Sequence, residues 1–169
     1  MQPTRGLPVP QQLSAGILLF RRTGGELEVL LTHPGGPFWR SKDVGAWMIP
    51  KGAIEEGETA VEAAMREYEE ELGSALTAIP FPLCTIRQKA GKIVETFAAE
   101  GDFDPATLSS LEFEMEWPPR SGELARFPEI DRAEWMILPE ARERILPSQL
   151  PILDAIEEQL KGGSAPRSP

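Results

Sequence analysis

The sequence predicts a mixed α/β domain. Three observations carry that expectation. Short apolar runs bounded by turn residues recur along the chain. One segment shows a clear helical period with both ends capped. Two further helical patterns close the chain. The elements read in the order β-β-β-α-β-β-β-β-α, which predicts helices packed on a mixed sheet.

Each element has a local reason. Leu13 to Phe20 (LSAGILLF) is a short apolar run closed by Arg21, Arg22 and Gly24-Gly25, and Leu27 to Thr32 (LEVLLT) follows. A Gly-Gly turn between two such runs predicts a hairpin. His33 to Gly45 is a loop by composition. Ala46 to Ile49 (AWMI) is a strand candidate stopped by Pro50, and residues 51 to 58 read as a loop. Thr59 to Leu72 is the clearest helix. Thr59 and Glu62 have the spacing of a capping box, and Gly73 stands where a C-terminal cap belongs. Val61, Met65, Tyr68 and Leu72 recur as one apolar stripe. Pro82 to Arg87, Lys92 to Ala99, Leu111 to Trp117 and Ala133 to Leu138 are strand candidates. Pro139 to Ile145 and Ser148 to Lys161 are helix candidates. Residues 1 to 12 and 162 to 169 read as Pro-rich and Gly/Ser/Pro-rich tails, leaving one domain over 13 to 161.

Composition removes several functional classes. One cysteine, Cys84, excludes an intramolecular disulfide framework, and one histidine, His33, excludes a His-rich metal site within one chain. No apolar run has the length of a membrane span, and the first residues lack the apolar core of a signal peptide, so the expected location is cytoplasmic. The formal net charge of -10 disfavours passive binding to nucleic acid or an anionic membrane. A protein of this charge that handles phosphates needs positive charge from elsewhere.

Residues 52 to 74, GAIEEGETAVEAAMREYEEELGS, hold eight Glu and one basic residue, Arg66. Glu67, Glu70 and Glu71 stand at spacings of three and four, on one helix face away from the apolar stripe. Like charges so placed destabilise a helix by about 0.2–0.5 kcal/mol per pair. A solvated acidic face is the ordinary explanation of a Glu-rich helix. A hard divalent cation is the other, because Mg²⁺ takes carboxylate oxygens and substrate phosphates and would supply the missing positive charge. The wider spacing favours the second. Gly52, Glu58, Arg66, Glu67, Tyr68, Glu70, Glu71 and Gly73 form a pattern that average residue frequencies would produce on the order of once per million chains.

This segment resembles the signature box of the Nudix hydrolases, and Trp47, Pro50, Lys51 and Gly52 (AWMIPKG) are similar to that family's lead-in. The closing position, commonly aliphatic in the family, is Ser74 here. The resemblance implies an α/β/α sandwich around a mixed sheet. It also implies hydrolysis of a nucleoside diphosphate linked to another moiety, by water attack at phosphorus with Mg²⁺ or Mn²⁺. Carried onto this chain, Glu67, Glu70 and Glu71 would bind metal, with the backbone carbonyl near Lys51 or Gly52 as a further ligand. Arg66 would orient Glu67, Glu58 would brace the loop through Arg66, and Gly52 and Gly73 would be structural. Glu67 is a candidate base.

A carboxylate from outside the box often completes such sites. Glu112, Glu114, Glu116 and Glu129 are candidates, and Glu129 in FPEID, just before the strand AEWMIL, is favoured as ligand and catalytic group. Glu112, Glu114 and Glu116 alternate and can be the wet side of a strand. Lys51, Arg40 and Arg126 are candidates for phosphate contact, Lys51 first because it adjoins the box. His33 reads as a solvated loop residue, Trp47 as core and Cys84 as a buried strand residue, while Phe38, Trp39 and Trp117 are candidate stacking groups. The stretch LLTHPGG through WMIPKGAIEEGE looks most similar to the branches that cleave dinucleoside polyphosphates or nucleoside triphosphates, and Lys92 in RQKAGKIV fits a polyphosphate. ADP-ribose, oxidised nucleotides and inositol polyphosphates stay open. So does a homodimer. The alternative reading is a Nudix-like domain that senses a nucleotide without turning it over. Such domains typically carry a degraded box, and this one is intact.

Overall fold

The computed structural model describes residues 13–161; both expected tails lie outside the described residues. Strand β1 (Leu13–Thr23) turns at Gly24-Gly25 into β2 (Glu26–Pro34), and the two pair antiparallel. Strand β3 (Lys51–Ala53) leads into helix α1 (Ala60–Leu72). Then come β4 (Phe81–Arg87), β5 (Ile93–Glu100), β6 (Glu112–Glu116), β7 (Leu124–Pro128) and β8 (Ile130–Ile137). Helices α2 (Leu138–Arg144) and α3 (Leu150–Lys161) follow.

The main sheet runs β4-β5-β1-β2-β8, with β3 added to β1, and is mixed: β1 pairs parallel with β5 and antiparallel with β2 and β3. Alternate residues of β1 face opposite layers. Leu18 and Phe20 join Ala141, Ile145, Ile152 and Ile156 from the α2–α3 side. Ala15, Ile17 and Leu19 join Ala63, Ala64, Tyr68 and Leu72 of α1. Strands that bury both faces need apolar residues at consecutive positions, which is why LSAGILLF reads as a run and not an alternation. The result is a sheet covered by helices on both faces. No helix among the described residues is long and apolar enough to cross a membrane.

Helix α1 has the expected ends. The Thr59 hydroxyl accepts from the Glu62 N–H and the Glu62 carboxylate accepts from the Thr59 N–H, closing the capping box. Gly73 takes the left-handed conformation at φ 86° and its N–H donates to the Glu69 carbonyl. The buried stripe differs from the expected one. Ala63 and Ala64 join Tyr68 and Leu72 in the core, while Val61 and Met65 stay half-buried. Two alanines let the helix axis approach the sheet closely.

Three element assignments are corrected. Ala46 to Ile49 forms no strand; it makes isolated bridges, Met48 to Thr32 and Trp47 to Ile145. Trp47 is fully buried, and its indole N–H donates to Asp43 at 2.8 Å. Pairing with β1 instead falls on Lys51–Ala53, which composition assigned to a loop. Pro50 has no N–H to give a ladder, but its carbonyl accepts from Ile17 at 3.1 Å and brings the chain alongside β1. Strand β7 is an addition; it pairs with β6 as a separate two-stranded arm.

Candidate functional site

The box residues converge where β3 meets α1. Gly52 lies directly against the Glu67 carboxyl, and a Cβ at residue 52 would occupy the space of that group. The glycine is there for close approach. Arg66 is the hub beside it. Its Nε donates to Glu58 Oε2 at 2.7 Å and its Nη2 to Glu58 Oε1 at 2.9 Å, a bidentate pair. Nη2 also donates to the Ala53 carbonyl at 2.9 Å, and Nη1 to Glu67 Oε1 at 2.9 Å and Glu70 Oε2 at 3.2 Å. The Glu55 N–H donates to Glu58 Oε1 at 2.9 Å. One guanidinium thus ties the loop of residues 53–58 to two carboxylates of the helix.

The electrostatics follow from this crowding. The Arg66 guanidinium and the Glu55 N–H hold the Glu58 carboxyl down at about 2. Burial raises Glu67 above the usual carboxylate range, against the pull of Arg66, and the charges of Glu70 and Glu129 add to the rise. Glu71 is pushed up to about 8, first by burial and then by Glu67; Lys51, through its ammonium and its backbone N–H, pulls the other way, and Glu129 adds to the rise. The Lys51 ammonium is itself lowered by burial and by the charge of Lys92, against the pull of Glu71 and Glu67. Glu129 therefore shares a field with Glu67 and Glu71. It sits between the β6–β7 arm and β8, its N–H donating to the Leu111 carbonyl and its carbonyl accepting from Gly35.

Other candidates fall elsewhere. Arg126 lies on the arm, 3.9 Å from Glu112, and Arg40 is exposed on the loop after β2; neither contacts the box carboxylates among the described residues. Glu112, Glu114 and Glu116 are exposed on one face of the arm. Phe38 and Trp117 meet edge to face, 5.7 Å between centroids, joining the loop to the arm. Cys84 is partly buried on β4.

His33 is a correction. It is not a solvated loop residue but fully buried at the end of β2. Its Nδ1 lies 2.8 Å from Asp131 Oδ1 and its Nε2 2.6 Å from the Lys42 carbonyl. The ring thus bridges a carboxylate and a backbone carbonyl. It pins the loop after β2 to β8, two residues past Glu129.

Sequence reasoning missed most of a second cleft. Lys51 opens on a cavity of about 300 Å³ lined also by Met48, Gln88, Lys89, Lys92, Leu146, Pro147 and Ser148. Of these, Lys51 and Lys92 stood out in the sequence. The KAGK spacing of Lys89 and Lys92 was the legible signal for the rest.

The model of the NUDIX domain family matches residues 10–156. The chain belongs to that family. An RNA pyrophosphohydrolase of Erythrobacter litoralis (strain HTCC2594) is 47% identical over 49 residues, 25% of this chain and 30% of that protein. The match thus spans under a third of that curated relative. Among solved structures, a C. elegans Ap4A hydrolase binary complex superposes with a TM-score of 0.65 at 22% identity, covering 88% of this chain and 98% of that one. The NUDIX domain of Shewanella oneidensis NrtR complexed with ADP ribose gives 0.61 at 19% identity, covering 89% and 88%. These two likenesses establish the fold, and the Nudix arrangement of helices on both faces of a mixed sheet is the one expected.

Proposed function

We propose that this NUDIX protein is a divalent-cation-dependent pyrophosphohydrolase, cleaving a phosphoric anhydride that links a nucleoside diphosphate to another moiety. One observation carries the reading: the carboxylates of Glu67 and Glu71 are crowded together in a common field with Glu129, and Glu71 is left largely uncompensated beside Lys51. Hard oxygen donors with an unbalanced negative field suit Mg²⁺ or Mn²⁺. Among the described residues no three acidic, His or Cys side chains already close on a common ion position, because Glu67 and Glu70 are turned onto Arg66. The donor set fits the ion chemically, with Arg66 as the resident counter-charge.

Glu67, Glu70, Glu71, Glu129 and the Lys51 carbonyl are the groups that would hold the cation. When bound, the ion supplies charge neutralisation for the diphosphate and lowers the pKa of water. The chain's own residues do the positioning. Glu58 fixes the Arg66 guanidinium, and Arg66 aims Glu67. Glu67 takes the proton of the attacking water, with Glu129 as the second carboxylate able to receive it. The Lys51 ammonium offers a contact to a phosphate oxygen.

The substrate panel follows from the chain and its relatives: dinucleoside polyphosphates, nucleoside triphosphates, ADP-ribose and RNA bearing a 5′-triphosphate, each with Mg²⁺ and with Mn²⁺. Wild type is expected to release product from at least one, while Glu70→Gln and Glu71→Gln lose about 100-fold or more of that rate. Full activity in both variants refutes the metal-ligand roles. Nucleotide binding without turnover, in the presence of bound metal, replaces the reading with a sensor domain.

A further inference from the structure

We propose that a bulge at Asp131, locked by the buried ring of His33, holds Glu129 in place against the end of α1 that carries Glu70 and Glu71, so that His33 and Asp131 are positioning residues for the site. This rests on the pyrophosphohydrolase reading for the part Glu129 plays in turnover, but not for the clamp around its backbone.

Glu129 is the single residue between β7 and β8, and it is exposed. An exposed side chain at a strand junction takes its direction from its backbone, and that backbone is clamped from two sides. On one side the Glu129 N–H donates to the Leu111 carbonyl at 2.8 Å, and the Ile130 N–H donates to Ser110 Oγ at 3.0 Å. The same short segment reaches α1. The Ser109 N–H donates to the Leu72 carbonyl at 3.1 Å, one residue past Glu71, and Gly73 packs directly against Ser109. Residues 109–111 thus run as a strut from the end of the acidic helix to Glu129. On the other side the Glu129 carbonyl accepts from the Gly35 N–H at 2.9 Å. A Cβ at residue 35 would overlap the Pro128 carbonyl, so only glycine lets the end of β2 come this close.

The bulge sets the direction. His33 stands opposite Arg132 and Pro34 opposite Ile130, so Asp131 is an extra residue without a partner on β2. The ladder slips at Pro34, which has no N–H to give it. An extra residue bends its strand and re-aims the side chains beside it. Here that residue is tied down. Its Oδ1 lies 2.8 Å from His33 Nδ1, and the Nε2 of the same ring lies 2.6 Å from the Lys42 carbonyl. The ring is fully buried and packs against the Trp47 indole, 5.1 Å between centroids. Arg132, 3.7 Å from the same carboxylate and half exposed, is the weaker partner. A polar ring is costly to bury unless its nitrogens are used. Both are used here, and what they fix is the bulge two residues past Glu129.

Two measurements test this. The first is amide hydrogen exchange, followed by NMR, on metal-free wild type, Asp131→Ala and His33→Gln. Asp131 is at the surface, so its variant reports on the lock without disturbing the core. In both variants the amides of Gly35 and Glu129 are expected to exchange about tenfold faster or more, while those of β1 keep their protection. Unchanged protection at Gly35 and Glu129 in Asp131→Ala overturns the proposal whatever the enzyme hydrolyses. The second is a double-mutant cycle on kcat with Glu129→Gln. Asp131→Ala should lower kcat about tenfold to a hundredfold with KM nearly unchanged. Added to Glu129→Gln it should lower kcat little further, because a misplaced carboxylate and an absent one are equivalent. His33→Asn, which keeps an amide opposite Asp131, should retain most of the rate; His33→Gln, whose amide reaches toward Lys42 instead, should not. Additive losses show a merely structural role and overturn the proposal. If Glu129→Gln turns over as wild type does, the positioning role falls, while the hydrolase reading is decided separately by Glu70→Gln and Glu71→Gln.

Discussion

Glu71→Gln separates the electrostatic account of the site from any account in which the acidic helix is mere surface. The Glu71 carboxyl titrates at 4.5 in ordinary surroundings and near 8 in the fold. Below about pH 4.5 it is protonated in both states and the fold is not penalised. Between 4.5 and 8 the unfolded chain has shed a proton that the folded chain keeps, so the fold loses stability as pH rises. Above 8 the penalty is complete. At about 1.4 kcal/mol per pH unit the gap amounts to about 5 kcal/mol, and relaxation of the site brings the expected effect to roughly 2–5 kcal/mol. At about 2–4 °C per kcal/mol, the metal-free wild type should lose on the order of 5–20 °C more in Tm than Glu71→Gln between pH 5 and pH 9. The assay is thermal unfolding in chelated buffer across that range. Mg²⁺ should restore wild type more than the variant at pH 9, and near pH 7 its binding should release about one proton. Parallel Tm curves for the two proteins, or equal stabilisation by Mg²⁺, would refute the reasoning.

Three further outcomes follow from contacts already described. Gly52→Ala places a methyl in the space of the Glu67 carboxyl, and hydrolysis should fall about 100-fold or more from misplacement of that group, with folding retained by circular dichroism. His33→Leu removes the ring that bridges Asp131 and the Lys42 carbonyl; chemical denaturation should show a loss of about 1–3 kcal/mol. Thr59→Ala removes the α1 N-cap and should cost about 1 kcal/mol in the same assay.

Much of this was legible because the chemistry is local. Thr59, Glu62 and Gly73 announce α1 within fifteen residues, and Arg66, Glu67, Glu70 and Glu71 lie on two consecutive turns, so helical spacing alone places them together. Gly52 stood out as a fixed position, but the reason for it, the Glu67 carboxyl packed against its Cα, needs the fold. What escaped depended on long-range partners. His33 follows an apolar run and precedes Pro34-Gly35-Gly36, a composition that signals a loop, and its burial is set by Asp131 and Trp47, which no local pattern links to it. Strand β3 is only three residues long and starts after a proline, so it shows no alternation; β1 defines it. The cleft walls come from residues 48, 88–92 and 146–148, three separate stretches without a shared signal.

Strand β1 is the common support of the groups proposed to bind cation and substrate. Strand β3, with Lys51 and Gly52, pairs along its first residues; β5, which follows the Lys89–Lys92 turn, runs along its full length up to Phe20; and α1 packs on its inner face. Residues 40 positions apart therefore take their spacing from one rod. The site has no means of assembling piecemeal: a fragment holding the acidic helix alone would lack the strand that sets its distance from Lys51. Cation affinity should accordingly behave as a property of the whole fold, vanishing together with the slowest-exchanging amides of β1 rather than before them.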